Sequence, residues 1–209
     1  LRMAQDVGAD LWHMWHFHGS YGFRHPDPSF PFGIRTKRLP DWVPEHSETD
    51  APMSWILVDG EGRRYMNEYQ PYFQDTGHRA LDVMNPDTQK QPYIPCYLIV
   101  DDPGRAMYPL GGVVFNDRDV EPYEWSRDNL KEVELGILRK ADTINELAQL
   151  IGCAPDRLES SIGRWNAACT AGDDGDFQRP SKSMTPITTP PYFVGEIWPV
   201  VSNTQGGPV

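Results

Sequence analysis

The sequence predicts an α+β domain, a small sheet with hairpins and packed helices. Three observations carry this. Apolar strand-like runs stand at 54–58, 93–100 and 192–201. Helical text is concentrated between 124 and 171. No regular strand–helix–strand alternation links the two kinds of segment, so the elements are segregated rather than wound into a parallel sheet.

Residues 1–15 read as a helix, because Leu1, Ala4, Gly8, Leu11 and Trp15 recur at spacings of three and four and share a face. The cluster His18-Gly19-Ser20-Tyr21-Gly22 breaks it. Residues 24–50 hold five prolines among charges and read as a long irregular loop, of the kind that serves as a lid or binding element. Ser54–Val58 is a strand, Asp59-Gly60-Glu61-Gly62 a tight turn, and Arg63–Asn67 the returning strand. Residues 72–84 read as a short helix. Tyr93–Val100 is the next strand, and Pro95 places it at an edge or a bulge. Asp142-Thr143 caps a helix, with Glu146 at capping-box spacing and Gly152 as its stop. Pro155 opens a second helix, whose stripe Leu158, Ile162 and Trp165 runs to about Ala171. Tyr192–Val201 is the last strand, followed by a glycine turn.

Composition narrows the function. The chain has 30 acidic and 19 basic residues among 209, a net charge of -11. That argues against a nucleic-acid partner, which needs clustered cations, and against adhesion to an anionic membrane. No apolar run reaches the ~18–20 residues of a membrane span. Twenty prolines are about twice the usual share, so much of the chain is extended or turning. Cys96, Cys153 and Cys169 are too widely spaced for a disulfide framework or a zinc site, and suit reduced thiols in a cytoplasmic protein. The chain opens without Met on Leu1-Arg2-Met3-Ala4 and stops at Gly206-Gly207-Pro208-Val209. These ends suggest a piece cut from a longer protein.

Few residues signal chemistry by themselves. His13, His16 and His18 lie close together, but no carboxylate or thiol completes a metal set, so no metal is expected. His18, beside glycine at the end of the expected helix, is the best placed to reach a substrate. Tyr72 follows Asn67-Glu68-Tyr69-Gln70-Pro71, and Tyr192 follows Pro190-Pro191; a phenol in either place is a packed aromatic or a proton-transfer group. Gly206-Gly207 lets backbone approach a flat ligand. Asp173-Asp174-Gly175-Asp176 lacks the downstream Glu of a calcium loop and reads as solvated. No phosphate-cradling glycine loop is present.

Several strings together resemble one family, the FAD-dependent oxidoreductases related to fumarate reductase, the succinate dehydrogenase flavoprotein and 3-ketosteroid dehydrogenase. Met3-Ala4 and Gly8-Ala9-Asp10-Leu11-Trp12 resemble the entry to that family's substrate-capping domain. Gly62-Arg63-Arg64-Tyr65-Met66-Asn67-Glu68 resembles its G-x-R-F/Y-x-N-E hairpin. The stretch Ala141–Ala148 through Arg164-Trp165-Asn166 resembles its helix pair, Asp176-Phe177-Gln178-Arg179 its following loop, and Asn203-Thr204-Gln205-Gly206-Gly207 its T-x-G-G turn against the flavin.

The resemblance covers nearly the whole chain and implies a capping domain over residues 1–209, with the long loop 24–50 inside it. The FAD-binding domain would flank it in sequence, and the isolated piece would be inactive. It implies an FAD cofactor, with Asn203, Thr204, Gly206 and Gly207 on the flavin side, and a small-molecule substrate. Fumarate reductases place an Arg four residues after the N-E pair and a His before T-x-G-G; here these positions are Tyr72 and Asn203. Asn67-Glu68-Tyr69-Gln70-Pro71-Tyr72 is closer to the N-E-x-x-P-Y string of 3-ketosteroid dehydrogenases. That implies Tyr72 as the proton-transfer group and Tyr192 as hydrogen-bond donor to a substrate carbonyl. The implied reaction dehydrogenates or reduces a C–C bond next to a carbonyl. Two alternatives stand beside it: reduction of a small unsaturated acid, with Arg64, Arg24 or an Arg outside the chain binding the anion, and a non-catalytic aromatic-rich binding module.

Overall fold

The computed structural model describes residues 2–12, 17–39, 52–69, 79–112, 114, 119–204 and 207–208. Its centre is an antiparallel sheet built on one long strand, β7 (Tyr192–Thr204). Along the first half of β7 lie β5 (Cys96–Asp101) and β6 (Leu138–Ala141); along its second half lies β2 (Phe17–Arg24). The order is β3-β2-β7-β5-β4, where β3 is Gly33–Arg35 and β4 is Ile56–Val58. A separate two-stranded ribbon joins β1 (Leu11–Trp12) to β8 (Gly207–Pro208). This is the expected α+β class.

Both faces of the sheet are buried, and strand periodicity sorts the side chains between them. Cys96, Leu98 and Val100 of β5 join Tyr21, Phe23, Ile34, Leu57, Phe193 and Ile197 in one core. Tyr97 and Ile99 face the other way, with Ile56, Val58, Tyr192 and Val194, under the helices. This double burial explains the unbroken apolar run and corrects the expected edge position. β5 lies between β4 and β7. Pro95 precedes the first strand residue and removes no donor from the ladder.

The helical text is read correctly where caps and stripe agree. Helix α4 (Ile144–Ile151) starts at Thr143, whose Oγ1 accepts the Glu146 N–H at 3.1 Å, while Glu146 accepts the Asp142 N–H at 2.8 Å. It stops at Gly152 in the left-handed region, φ 85°. Helix α5 (Pro155–Ala171) buries Leu158, Ile162 and Trp165. Three shorter helices complete the set: α1 (Arg2–Asp6), α2 (Asp102–Met107) and α3 (Leu130–Glu134).

Two readings change. The N-terminal helix spans only Arg2–Asp6, and the glycine-rich cluster behind it is strand β2. Its partner, β7, lies some 180 residues away, so local periodicity carries no trace of it. Gly22 is needed there because a Cβ would stand 2.0 Å from the Ile34 carbonyl oxygen. After β4 the Asp59 turn forms, its carboxylate accepting the Glu61 and Arg63 N–H groups at 2.9 Å each. The returning strand reduces to a single bridge, Val58 to Arg64, because Arg64 turns inward. The long loop 24–50 contains β3, hydrogen-bonded back onto β2; residues 40–51 lie outside the described residues, as does the 70–78 part of the expected 72–84 helix. Among the described residues no helix is long and apolar enough to cross a membrane.

Candidate active site

The sheet brings several predicted residues together at one end. His18 lies directly opposite Asn203 in the β2–β7 register, and Phe17 opposite Thr204. A register shift between His18 and Gly19 bends the ladder there. Past Thr204 the chain re-emerges as β8, with Gly207 opposite Trp12 and Pro208 opposite Leu11. His18, Asn203, Thr204 and Gly207 therefore share a narrow zone where the two ends of the chain meet. Gly206 falls outside the described residues, as do Tyr72, His13 and His16.

Tyr192 does not join them. It opens β7 while Thr204 closes it, twelve residues on, or about 40 Å at the usual strand rise. Its ring packs with Ile99, Leu147 and Ile187 in the core beneath the helices. Its hydroxyl donates, at 3.5 Å, to the Thr188 carbonyl. Burial and the Asp101 charge raise its pKa. The Tyr192 hydroxyl thus lies against the Thr188 carbonyl, at the opposite end of β7 from Thr204.

A second feature was only half legible. The G-x-R-x-x-N-E string is the core of a buried ionic network. Arg64 donates to Glu68 from Nε at 3.0 Å and from Nη2 at 2.8 Å, and to Asp174 at 3.1 and 3.0 Å. Arg179 reaches the same Glu68 at 3.4 Å and also donates to the backbone carbonyls of Trp55, Met53 and Ser183 at 2.8, 2.8 and 2.9 Å. Both guanidinium groups stack on Trp165, at 4.5 and 4.6 Å from the ring centre. Two cations and two carboxylates balance, as burial of charge demands.

The network shifts protonation in the expected directions. Burial opposes the charge on Arg64, but the charges and hydrogen bonds of Glu68 and Asp174 more than offset it and raise its pKa. Burial pushes the Asp174 carboxyl up, and the hydrogen bonds and charge of Arg64 reverse this and hold it below its ordinary value. Asp173, Gly175 and Asp176 are exposed as a solvated loop requires, but Asp174 is 2% exposed and is corrected to an internal counter-ion. The sequence signal was present, because Arg179 ends the Asp176–Arg179 string and Asp174 stands two residues before it, but composition alone suggested a surface turn.

The network fixes the approach to Tyr72. Asn67 donates to the Gln178 carbonyl at 3.2 Å and accepts the Tyr69 N–H at 2.8 Å. Glu68 also accepts the Leu57 N–H at 3.1 Å. Residues 67–69, just before the segment that carries Tyr72, are thus tied to the network and its neighbours.

Comparisons with known proteins place the chain in a class. No family model matches it. It is similar to oxidoreductases that dehydrogenate or reduce their substrates, as its strings imply. The 3-oxosteroid 1-dehydrogenase of Mycolicibacterium smegmatis is 30% identical over 176 residues, 77% of this chain and 29% of that protein. The digoxin reductase of Eggerthella lenta is 43% identical over 169 residues, 79% of this chain and 26% of that protein. Among solved structures, a 3-ketosteroid Δ1-dehydrogenase from Sterolibacterium denitrificans superposes over 99% of this chain and 36% of its own, with TM-score 0.67 and 24% identity. A flavocytochrome c3 fumarate reductase superposes over 99% of this chain and 29% of its own, with TM-score 0.61 and 19% identity. The chain is thus similar to part of 3-oxosteroid 1-dehydrogenase and of digoxin reductase, and it shares its fold with part of the solved 3-ketosteroid dehydrogenase and fumarate reductase. It spans less than a third of the length of the curated relatives it matches.

Proposed function

We propose that the chain is the substrate-capping domain of an FAD-dependent oxidoreductase acting on a C–C bond next to a carbonyl, with a substrate of the 3-ketosteroid type. The observation that carries this reading is the 30% identity to a 3-oxosteroid 1-dehydrogenase over 176 residues. The flanking FAD-binding domain lies outside the chain, and three free thiols suit a cytoplasmic setting.

The residues present fit one edge of the cofactor and not its phosphates. A strand end followed by Gly206 and Gly207 offers backbone to a flat ring. No glycine loop for a pyrophosphate exists in the chain. When bound, FAD supplies the hydride transfer. The chain supplies the rest. Tyr72 exchanges the proton on the carbon next to the substrate carbonyl. Asn203, Thr204, Gly206 and Gly207 would hold the flavin side of the site. His18, across from Asn203, borders the same side. The chain by itself turns nothing over, since it holds only part of the site.

The small-acid alternative loses one of its cations. Arg64 is 7% exposed, and its four hydrogen bonds to Glu68 and Asp174 neutralise its charge in the interior, away from a substrate carboxylate.

The test is the visible spectrum of the full-length protein, recorded anaerobically before and after adding a 3-ketosteroid. A flavin spectrum that bleaches is expected. A flavin spectrum that stays unchanged with a ketosteroid, but whose chemically reduced form regains its colour when an unsaturated acid is added, would reject the substrate. Absence of flavin would reject the reading as a whole and favour the binding module.

A further inference from the structure

The chain carries eleven more acidic than basic residues, yet Arg35 has no carboxylate partner among the described residues. It is half-buried, and that burial alone lowers its pKa, with no nearby charge acting on it. Arg24 is likewise without an ion pair; its guanidinium lies over the Trp198 ring, 4.5 Å from the centre. An unpaired, partly desolvated guanidinium is costly, and an acidic protein has carboxylates to spare.

The register puts these groups on one face. Gly22 lies opposite Arg35 and Arg24 opposite Gly33, so the two arginines are diagonal neighbours across β2 and β3. Gly22 also lies opposite Trp198, and Ser20 opposite Val200. Val200 packs over Gly33, where a Cβ would come within 2.7 Å of it. Phe23, Ile34 and Ile197 point the other way, into the first core. The second core ends on β7 at Val194, and farther along the same face Trp198 is half-buried while Val200 is buried. The Oγ of Ser20, on the same face, is buried and has no hydrogen-bond partner. The Glu196 carboxylate accepts the Trp198 indole N–H at 2.6 Å.

We propose that Arg24 and Arg35, backed by Trp198, form a binding site for a small oxyanion, a carboxylate or a phosphate group. A guanidinium stacked on an indole keeps its in-plane donors free, and two such forks suit bidentate capture of an oxyanion. The site lies about 23 Å along β2 from the residue paired with Thr204, so it does not depend on the catalytic reading.

The experiment titrates inorganic phosphate and, separately, succinate into the full chain at low ionic strength, following tryptophan fluorescence and the unfolding midpoint. Saturable binding of either ion is expected, and which one binds more tightly tells phosphate from carboxylate. Arg24→Gln and Arg35→Gln should each weaken binding at least about tenfold, the loss of a charged hydrogen bond. Arg157→Gln, which breaks only the surface pair with Glu61, should leave it unchanged. Without ligand, Arg35→Gln should not lower the midpoint, because it removes an unpaired charge. No saturable binding, binding unaltered in Arg35→Gln, or a lower midpoint in that variant would each overturn the proposal.

Discussion

Arg64 and Glu68, one helical turn apart in number but not in a helix, meet through two hydrogen bonds of 3.0 and 2.8 Å in the protein interior. The pair joins three chain segments: the turn after β4, the loop at 172–179 and, through Trp165, helix α5. Removing one member leaves charge buried without compensation.

Glu68→Ala should therefore destabilise the fold by about 3–5 kcal/mol, because it strands Arg64 and weakens the hold on Arg179. Glu68→Gln should cost less, since it keeps an acceptor for the Leu57 N–H. Urea unfolding of the two variants beside the parent measures the difference. Equal stability of all three would mean that the network contributes nothing.

The same network makes stability depend on acid. Asp174 has a folded pKa held below its unfolded value. Its contribution is fully present above the unfolded value of ~3.9 and is lost as pH falls through the lower folded one. Unfolding free energy should drop as pH falls below about 4, and Asp174→Asn should flatten that drop while lowering stability at neutral pH. Parallel slopes for the two proteins would remove Asp174 from the account.

The two candidate tyrosines should separate in kinetics. In the full-length enzyme, Tyr72→Phe should reduce turnover by about a hundredfold or more, the usual scale of lost proton transfer. Tyr192→Phe removes a hydroxyl whose acceptor stands 3.5 Å away, so turnover should hold and stability should change by less than about 1 kcal/mol. The reverse pattern would restore Tyr192 to the site and displace Tyr72.

Thiol chemistry should follow burial. Burial pushes the Cys96 thiol up to about 12 and the Cys169 thiol up to about 11. Cys96 is fully buried, whereas Cys153 and Cys169 are half-buried. Alkylation of the native protein at pH 8 should modify Cys96 last, and only on the timescale of unfolding. Mass spectrometry of a time course reads the order.

A cap can be tested in isolation from the site. Thr143→Ala removes the side-chain acceptor for the Glu146 N–H and should cost about 1 kcal/mol with no effect on turnover.

What the sequence determined by itself was local or compositional. The Thr143 cap, the Gly152 stop, Pro155 at the head of α5 and the Leu158–Trp165 stripe depend on neighbours within a few residues, and they formed as read. The Gly62–Glu68 string and the glycine turn pointed to a family whose relatives the comparisons found. The tertiary structure alone decided everything that rests on distant partners. Residues 17–24 became a strand because β7 supplies the hydrogen bonds, and no local pattern announces a partner so far along the chain. Asp174 moved from surface loop to buried counter-ion because the Arg64 guanidinium and the Arg179 backbone N–H converge on it, and a buried cation requires a carboxylate wherever the fold can bring one. Tyr192 left the candidate site for the opposite reason: one uninterrupted strand holds it far from Thr204, a separation that adjacency to a motif cannot reveal.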